Sequence, residues 1–255
     1  MQQAIRIRHR TLFPGMLAGL CIAAWAALAA WGRSPYASYL DHASLDNGIG
    51  LGSGGLYVSG WVLMTVAMML PTSLPLVRMF DRMVSRRTDH LRLVVLLIAG
   101  YLLIWTGFGV IAHAADIGVH ALVDRAGWLA RREHLVGAAT LLGAGAFQFS
   151  KLKYRCLEEC RSPFFFLNRH WSGSGRAAWA SLRLGVRHGL FCVGCCWALM
   201  LLMFALGTGS LAWMLGLGAV MAVEKNASWG RELSGAVGGV LLAAGVYAAF
   251  GGLSV

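Results

Sequence analysis

Long runs of apolar residues alternate with short polar connections along the whole chain. A helix needs about 20 mainly apolar residues to cross the roughly 30 Å hydrocarbon layer of a membrane. The lengths of the apolar runs, compared with this requirement, predict an all-α fold, a polytopic transmembrane helical bundle with about seven spans. The predicted spans lie at about 13–31, 56–77, 93–113, 134–150, 186–206, 210–226 and 234–252.

The composition agrees with this prediction. Hydrophobic residues make up 58% of the 255 residues and charged residues only 13%, whereas about a quarter of the residues of a soluble domain are charged. The first apolar segment follows Arg6, Arg8 and Arg10 and is similar in outline to a signal peptide. Its apolar run exceeds the about 7–15 residues of such a peptide, so we expect it to be retained as a helix.

The distribution of basic residues indicates how the bundle is oriented. The formal net charge is +11, and with the N-terminus in the cytoplasm 18 basic residues lie inside and four lie outside. The positive-inside rule therefore predicts a cytoplasmic N-terminus. The chain then divides into a basic cytoplasmic N-terminus, 1–12, and a single transmembrane domain, 13–255, with a cytoplasmic connection at 151–185. Topology accounts for these charges, so the lipid bilayer is an expected partner and nucleic acid is not.

Three cysteines stand close together in the fifth segment, within "RHGLFCVGCCWALM". At 100° per residue, Cys192 and Cys196 lie one helical turn apart, with Cys195 beside them and His188 one turn earlier. A single cysteine in a helix is usually a small apolar core residue. Packing does not require three cysteines and a histidine on one face, so the spacing predicts a group of ligands there.

A second cysteine pair follows the fourth segment, in "KLKYRCLEECRSP". If the helix continues, Cys156 and Cys160 face the same way, and the nearby basic residues favour thiolate forms. A redox disulfide is the competing interpretation. Side chains four residues apart on a helix are poorly placed for that bond, and the cytosol is reducing.

Methionines form a third group, in "WVLMTVAMMLPTSLP" of the second segment. Met64 and Met68 are one turn apart, and Met69 is adjacent. Methionine is a flexible filler of helix cores, so packing alone explains this stripe equally well. Pro71 and Pro75 favour a functional interpretation, because broken membrane helices occur mainly where they line a cavity or a site.

The predicted topology brings these sulfur groups to one depth, at the cytoplasmic side. A further ionisable pair joins them, because the sixth segment from Ser210 to Val223 covers only about 21 Å and must continue through Glu224 and Lys225 to span the membrane. Glu224 is predicted to be a ligand, a hydrogen-bond partner of His188 or an ion-pair partner of an arginine. Lys225 is expected to extend towards the headgroups.

These donors suggest a soft transition metal. Thiolates and thioethers select Cu(I), and the methionines favour copper, whereas zinc fits the cysteines, His188 and Glu224 without them. An external group near the end of the third segment, His113, Asp116 and His120, would suit zinc or Cu(II), or consists of ordinary interfacial polar residues. The predicted metal site comprises Cys156, Cys160, Cys192, Cys195, Cys196, His188, Met64, Met68, Met69 and Glu224.

The three sulfur motifs and the later Glu224–Lys225 pair resemble, in the same order, a bacterial family of unknown function described as predicted metal-binding integral membrane proteins. The resemblance extends from about residue 56 to the C-terminus. It implies metal binding by the cysteines and methionines of those motifs, in a multi-pass protein of the bacterial inner (plasma) membrane. It supplies neither an activity nor a metal.

The leading functional hypothesis is therefore a membrane transition-metal protein that binds or delivers Cu(I) at the cytoplasmic leaflet. A metallochaperone or a membrane complex would be its partner. The alternatives are a metal- or thiol-dependent membrane oxidoreductase and a structural subunit of a larger membrane complex. The chain contains no nucleotide-binding fingerprint, no paired histidines for haem across two spans and no hydrolase triad.

Overall fold

The computed structural model describes residues 2–34, 51–125, 134–173, 175–206 and 210–251, without the side chains of 2–14, 51–53, 124 and 204–206. The side chains of the predicted basic N-terminus therefore lie outside the described part. The described residues form ten α-helices and no strand. The helices are α1 (Gln2–Trp31), α2 (Leu51–Thr72), α3 (Leu74–Val84), α4 (His90–Arg125), α5 (His134–Gln148), α6 (Lys151–Arg161), α7 (Pro163–His170), α8 (Ala177–Leu206), α9 (Leu211–Asn226) and α10 (Gly230–Ala249).

The all-helical fold is confirmed for this part of the chain, but the count of about seven spans is not. By length and composition, four of the described helices could cross a membrane: α2, α4, α8 and α10. A fifth span results if α5 and α6, which are bent by 62°, are taken as one broken helix. The apolar part of α1 (Gly15–Trp31) is shorter, and α9 has only 16 residues. The orientation of the N-terminus stays a prediction.

The carbonyl that Pro71 leaves without its usual helical partner is bonded by a neighbouring helix. Proline lacks the N–H that would bond the carbonyl four residues earlier, which belongs to Ala67. Trp25 of α1 donates its Nε1–H to that oxygen at 3.1 Å. One turn away, the Cys21 thiol lies 3.8 Å from the Val66 carbonyl. Cys21 is thus a packing residue between α1 and α2, apart from the other cysteines.

The predicted break after the methionine stripe is also confirmed. Helix α2 ends at Thr72, and α3 begins at Leu74 with Pro75 in its first turn. The Thr72 hydroxyl donates to the Met69 carbonyl at 2.7 Å, and the Ser73 hydroxyl lies 3.5 Å from the same oxygen. The break therefore holds these buried side chains at the centre of the bundle.

A second break separates α5 from α6, where the sequence pattern allowed a continuous helix. Ser150 caps α6, since its hydroxyl oxygen accepts the backbone N–H of Lys153 at 3.1 Å. The cap restarts the helix in a new direction and lays α6 against α8. Helix α8 itself begins at Ala177, nine residues before the predicted span.

Small residues allow α4 and α8 to approach closely. A Cβ atom at Gly185 of α8 would overlap the backbone carbonyl of Leu97 in α4. We expect Gly185→Ala to lower the free energy of unfolding by about 3 kcal/mol, the upper end for overpacking, because backbone atoms cannot move aside as a side chain can. The measurement is denaturant-induced unfolding in detergent micelles.

The matched control is Gly107→Ala, in α4, where an added Cβ meets no atom within 4 Å. This variant should be as stable as the parent or slightly more stable, because alanine is the better helix former. Equal stability of the two variants would contradict close packing at Gly185.

Candidate metal-binding site

One face of α8 carries the thiols, as the spacing predicted. Cys192, Cys195 and Cys196 are each at most 1% exposed. The Cys195 and Cys196 thiols donate to the Cys192 carbonyl at 3.1 and 2.9 Å. The Cys196 sulfur also lies 3.8 Å from the Met69 sulfur of α2. Two helices therefore bring sulfur atoms together in the core.

A lysine from a third helix points into this sulfur group. Lys225 of α9 is only 5% exposed, and its Nζ donates to the Cys192 sulfur at 3.0 Å. The same ammonium lies 3.2 Å from the Thr72 hydroxyl, 3.8 Å from the Cys196 sulfur and 4.0 Å from the Met69 sulfur. We call the sulfur atoms of Cys192, Cys196 and Met69 the sulfur cage. The expectation that Lys225 extends to the headgroups is wrong, because α9 packs against α2 and α8 and turns the side chain inward.

The surroundings of Cys192 suit a negatively charged sulfur. A buried ammonium is costly unless an opposite charge or several acceptors compensate it. The Cys192 sulfur lies within hydrogen-bonding distance of both Lys225 and the Tyr101 hydroxyl, the latter at 3.1 Å. A Cys192 thiolate paired with Lys225 would leave this part of the core without net charge.

The cysteine pair of α6 joins the same cluster. Cys160 lies close enough to Cys192 and Cys195 for the charges of their thiols to influence one another. Cys156 packs against the backbone of α8, where a Cβ at Gly194 would lie 2.6 Å from its sulfur. All of these cysteines are free thiols, and Cys160 is partly exposed whereas the others are buried. The cluster thus extends from the sulfur cage to the surface of α6.

The predicted ligands His188, Met64 and Met68 have partners other than the sulfur cage. The His188 Nε2 lies 3.0 Å from the Ser73 hydroxyl, and the ring stacks on Tyr101. Its buried Nδ1 has no hydrogen-bond partner among the described residues. Met64 and Met68 are buried, and Met68 packs against Gly218 of α9. Met69 is thus the predicted methionine whose sulfur contacts a thiol, that of Cys196.

Glu224 forms a buried ion pair with a residue whose role the sequence did not indicate. Both of its carboxylate oxygens accept from the Lys153 ammonium at 2.8 Å, and Ser234 donates to one of them at 2.8 Å. Lys153 also donates to the Gln148 side-chain oxygen. The sequence predicted an unspecified arginine as one possible ion-pair partner; Arg161 donates instead to the backbone carbonyl of Glu224, at 2.6 Å. The hydrogen bonds around Glu224 therefore link four helices: α5, α6, α9 and α10.

The sequence prediction directed Lys225 to the headgroups and did not identify Tyr101 or Thr72 around the sulfur cage. The end of an apolar segment is compatible with either direction of the Lys225 side chain. Tyr101 and Thr72 had no signal in the sequence, because their role depends on which helices become neighbours.

The described residues contain no group of three or more His, Cys, Asp or Glu side chains arranged to hold a metal ion. At the sulfur cage the ammonium of Lys225 lies among the sulfur atoms, so an ion could enter only if that ammonium moved. At the external group, His113 stacks on Tyr57 with ring centroids 4.0 Å apart. The exposed His120 ring lies 3.6 Å from an Asp116 carboxylate oxygen.

A protein family described as copper chaperones, PpoB2, matches residues 58–248, about three quarters of the chain. This range includes every residue of the predicted metal site. No curated protein and no solved structure shows significant similarity to the chain. The match confirms the metal-binding part of the resemblance and supports copper rather than zinc. The chain belongs to the PpoB2 family of copper chaperones.

Proposed function

We propose that this protein is an integral membrane chaperone that binds Cu(I) in the sulfur cage and delivers it to a partner protein. The observation that carries the proposal is the position of the Lys225 ammonium, a cation that lies 3.0 to 4.0 Å from sulfur atoms of two helices. In the proposed mechanism Cu(I) takes the place of that ammonium.

The separation of the sulfur atoms fits a shared ion. Two sulfurs at about 2.3 Å from one metal, the length of a zinc–thiolate bond, lie roughly 4 Å apart when the bonds are about 120° apart. The Cys196 and Met69 sulfurs are 3.8 Å apart. A thiolate and a thioether are the soft donors that Cu(I) prefers.

The charge of the core also favours Cu(I). Lys225 remains attached to α9, so Cu(I) takes the place of its charge when the amine releases a proton to water or the side chain leaves the core. In either case one monovalent cation replaces another, and the buried charge is unchanged. A divalent ion would add a second positive charge to the core, where burial of an uncompensated charge costs roughly several kcal/mol of free energy. The single charge of a Cys192 thiolate therefore favours Cu(I) over Cu(II) and zinc.

The α6 thiols provide a route between the surface and the sulfur cage. Cys160 is partly exposed and lies near Cys192 and Cys195, so it is the thiol from which an ion would pass to the buried ones. The positive-inside distribution supports a cytoplasmic location for this end, and we place the protein in the inner membrane of a bacterium. A soluble metallochaperone or a membrane complex would then exchange copper at Cys160.

Cu(I) binding can be tested by anaerobic competition between the purified protein and a chromophoric Cu(I) chelator. We expect the parent to bind one Cu(I) per chain in the cage. Cys192→Ser should lower the affinity about a hundredfold. Loss of a residue that only orients a metal ligand lowers affinity by about 10- to 100-fold, and loss of a ligand itself should have at least the larger effect. Cys21→Ser is the matched control, because the Cys21 thiol donates to the Val66 carbonyl and not to the sulfur cage, and it should bind as the parent does.

Unchanged affinity in Cys192→Ser would refute the proposed site. Copper-free protein that copurifies with a stoichiometric partner would instead support the alternative of a structural subunit. A copper absorbance that responds to quinol would support the oxidoreductase alternative.

A further inference from the structure

We propose that a basic cleft between α7 and the start of α8 binds the phosphate group of an anionic phospholipid. The cleft has a volume of about 290 Å³ and lies apart from the sulfur cage. Its lining includes His170, Trp179 and four arginines: Arg169, Arg176, Arg183 and Arg187. Nothing in the proposed copper chemistry requires this cleft.

The cleft has more positive charge than the protein itself neutralises. Arg169 forms an ion pair with Glu159 at 2.9 Å. Arg176 and Arg183 have no ion-pair partner in the part of the chain that the structure describes. Guanidinium groups match the oxygens of a phosphate in a two-bond arrangement, and several arginines around one cleft are the usual means of phosphate recognition.

His170 contributes an unused donor at the same place. Burial, together with the adjacent Arg187 guanidinium, lowers the pKa of His170 below its usual value, so the ring is neutral at neutral pH. Its Nδ1 lies 2.9 Å from Arg187 Nη1 and accepts that hydrogen bond. The remaining ring hydrogen is then on Nε2, which is buried and has no hydrogen-bond partner among the described residues. The His170 ring lines the cleft, and a small rotation of this side chain would present the N–H to a phosphate oxygen there.

The first turn of α8 adds further donors. Helix α8 begins at Ala177, and the Arg176 carbonyl accepts the N–H of Ala180. Backbone N–H groups at the start of a 30-residue helix are directed away from the helix and favour an anion. They act together with the arginines, since Arg176 and Ala180 both line the cleft.

Exposed aromatic residues favour a lipid over a free phosphate. Phe165 lies one turn before Arg169 on α7 and is 73% exposed. Trp179 lies one turn before Arg183 on α8 and is 61% exposed. Aromatic side chains next to basic residues are typical of the headgroup level of a bilayer. A soluble phosphate would make no use of them.

The experiment measures phospholipid retention by native mass spectrometry of the full chain, exchanged into micelles with phosphatidylglycerol or phosphatidylcholine. We expect the parent to retain phosphatidylglycerol in preference to phosphatidylcholine. The double variant Arg176→Gln plus Arg183→Gln should retain it about tenfold less well, because two charge-assisted hydrogen bonds are lost. Arg86→Gln and Arg92→Gln together remove the same charge outside the cleft and should leave retention unchanged.

Arg183→Lys keeps the charge without the planar donor group and should give intermediate retention. Unfolding measurements in the same micelles establish that the variants are folded, as expected for exposed positions. Undiminished retention in the cleft variant, or an equal loss in the control, would overturn the proposal. Full displacement of phosphatidylglycerol by millimolar inorganic phosphate would overturn the lipid assignment. Cu(I) affinity of the cleft variant should equal that of the parent, which separates this test from that of the copper site.

Discussion

Replacement of Lys225 by methionine is expected to destabilise the copper-free protein while strengthening its response to Cu(I). Removal of one partner of a buried ion pair usually costs about 3–5 kcal/mol. We expect about 3 kcal/mol here, because the Cys192 thiolate can take up a proton when its partner is lost. The free energy of unfolding in detergent micelles measures this change.

The same variant should gain in copper binding. In the parent, Cu(I) must displace an ammonium that donates to the Cys192 sulfur at 3.0 Å. Methionine presents no charge to displace and adds a thioether, a donor that suits Cu(I). The rise in melting temperature on addition of Cu(I) should therefore be larger in Lys225→Met than in the parent.

Lys151→Met provides the control, because Lys151 is exposed at the start of α6. It removes the same charge and should change the free energy of unfolding by at most about 0.5 kcal/mol. A Lys225→Met protein that is as stable as the parent, or that binds Cu(I) more weakly, would contradict the role of Lys225 as a cation in place of copper.

Glu224→Gln is expected to have the largest effect on stability, a loss of about 3–5 kcal/mol in the free energy of unfolding. In the parent, both carboxylate oxygens of Glu224 accept from the fully buried Lys153 ammonium at 2.8 Å. The substitution leaves that ammonium without its counter-charge. Since Glu224 precedes Lys225 on α9, the position of the ammonium in the sulfur cage should also change. Cu(I) affinity should therefore change together with stability.

The exposed ion pair between Glu158 and Arg231, at 3.3 Å, offers a matched comparison. Glu158→Gln removes the same charge and should cost no more than about 1 kcal/mol, because solvent screens the pair. The double variant Glu224→Gln plus Lys153→Met should lose less than the sum of the single losses, since no uncompensated charge remains. Strictly additive losses, or equal losses in Glu224→Gln and Glu158→Gln, would refute a strong buried pair.

The sulfur positions could be predicted because they depend on local geometry. A helix repeats every 3.6 residues, so the spacing of Cys192 and Cys196 places them on one face whatever the helix packs against. Proline removes a backbone donor wherever it occurs, so Pro71 and Pro75 predicted the break between α2 and α3. The break and the shared face of these two cysteines are confirmed among the described residues.

The number of spans was harder to predict, because apolar length is a weak guide when helices are short or bent. Helix α5 has 15 residues and is followed by a 62° bend, which the cap at Ser150 creates. Helix α9 has 16 residues, fewer than a bilayer usually requires.

Residue spacing alone thus predicted a helical protein with soft ligands on one face of α8 and near a broken helix. The inward direction of Lys225, its pairing with Cys192 and the ion pair of Glu224 with Lys153 required the tertiary structure. The physical reason is that the rotation of each helix about its axis is set by close contacts with other helices, such as Gly185 against the α4 backbone. Those contacts join residues far apart in sequence, and no local repeat encodes them.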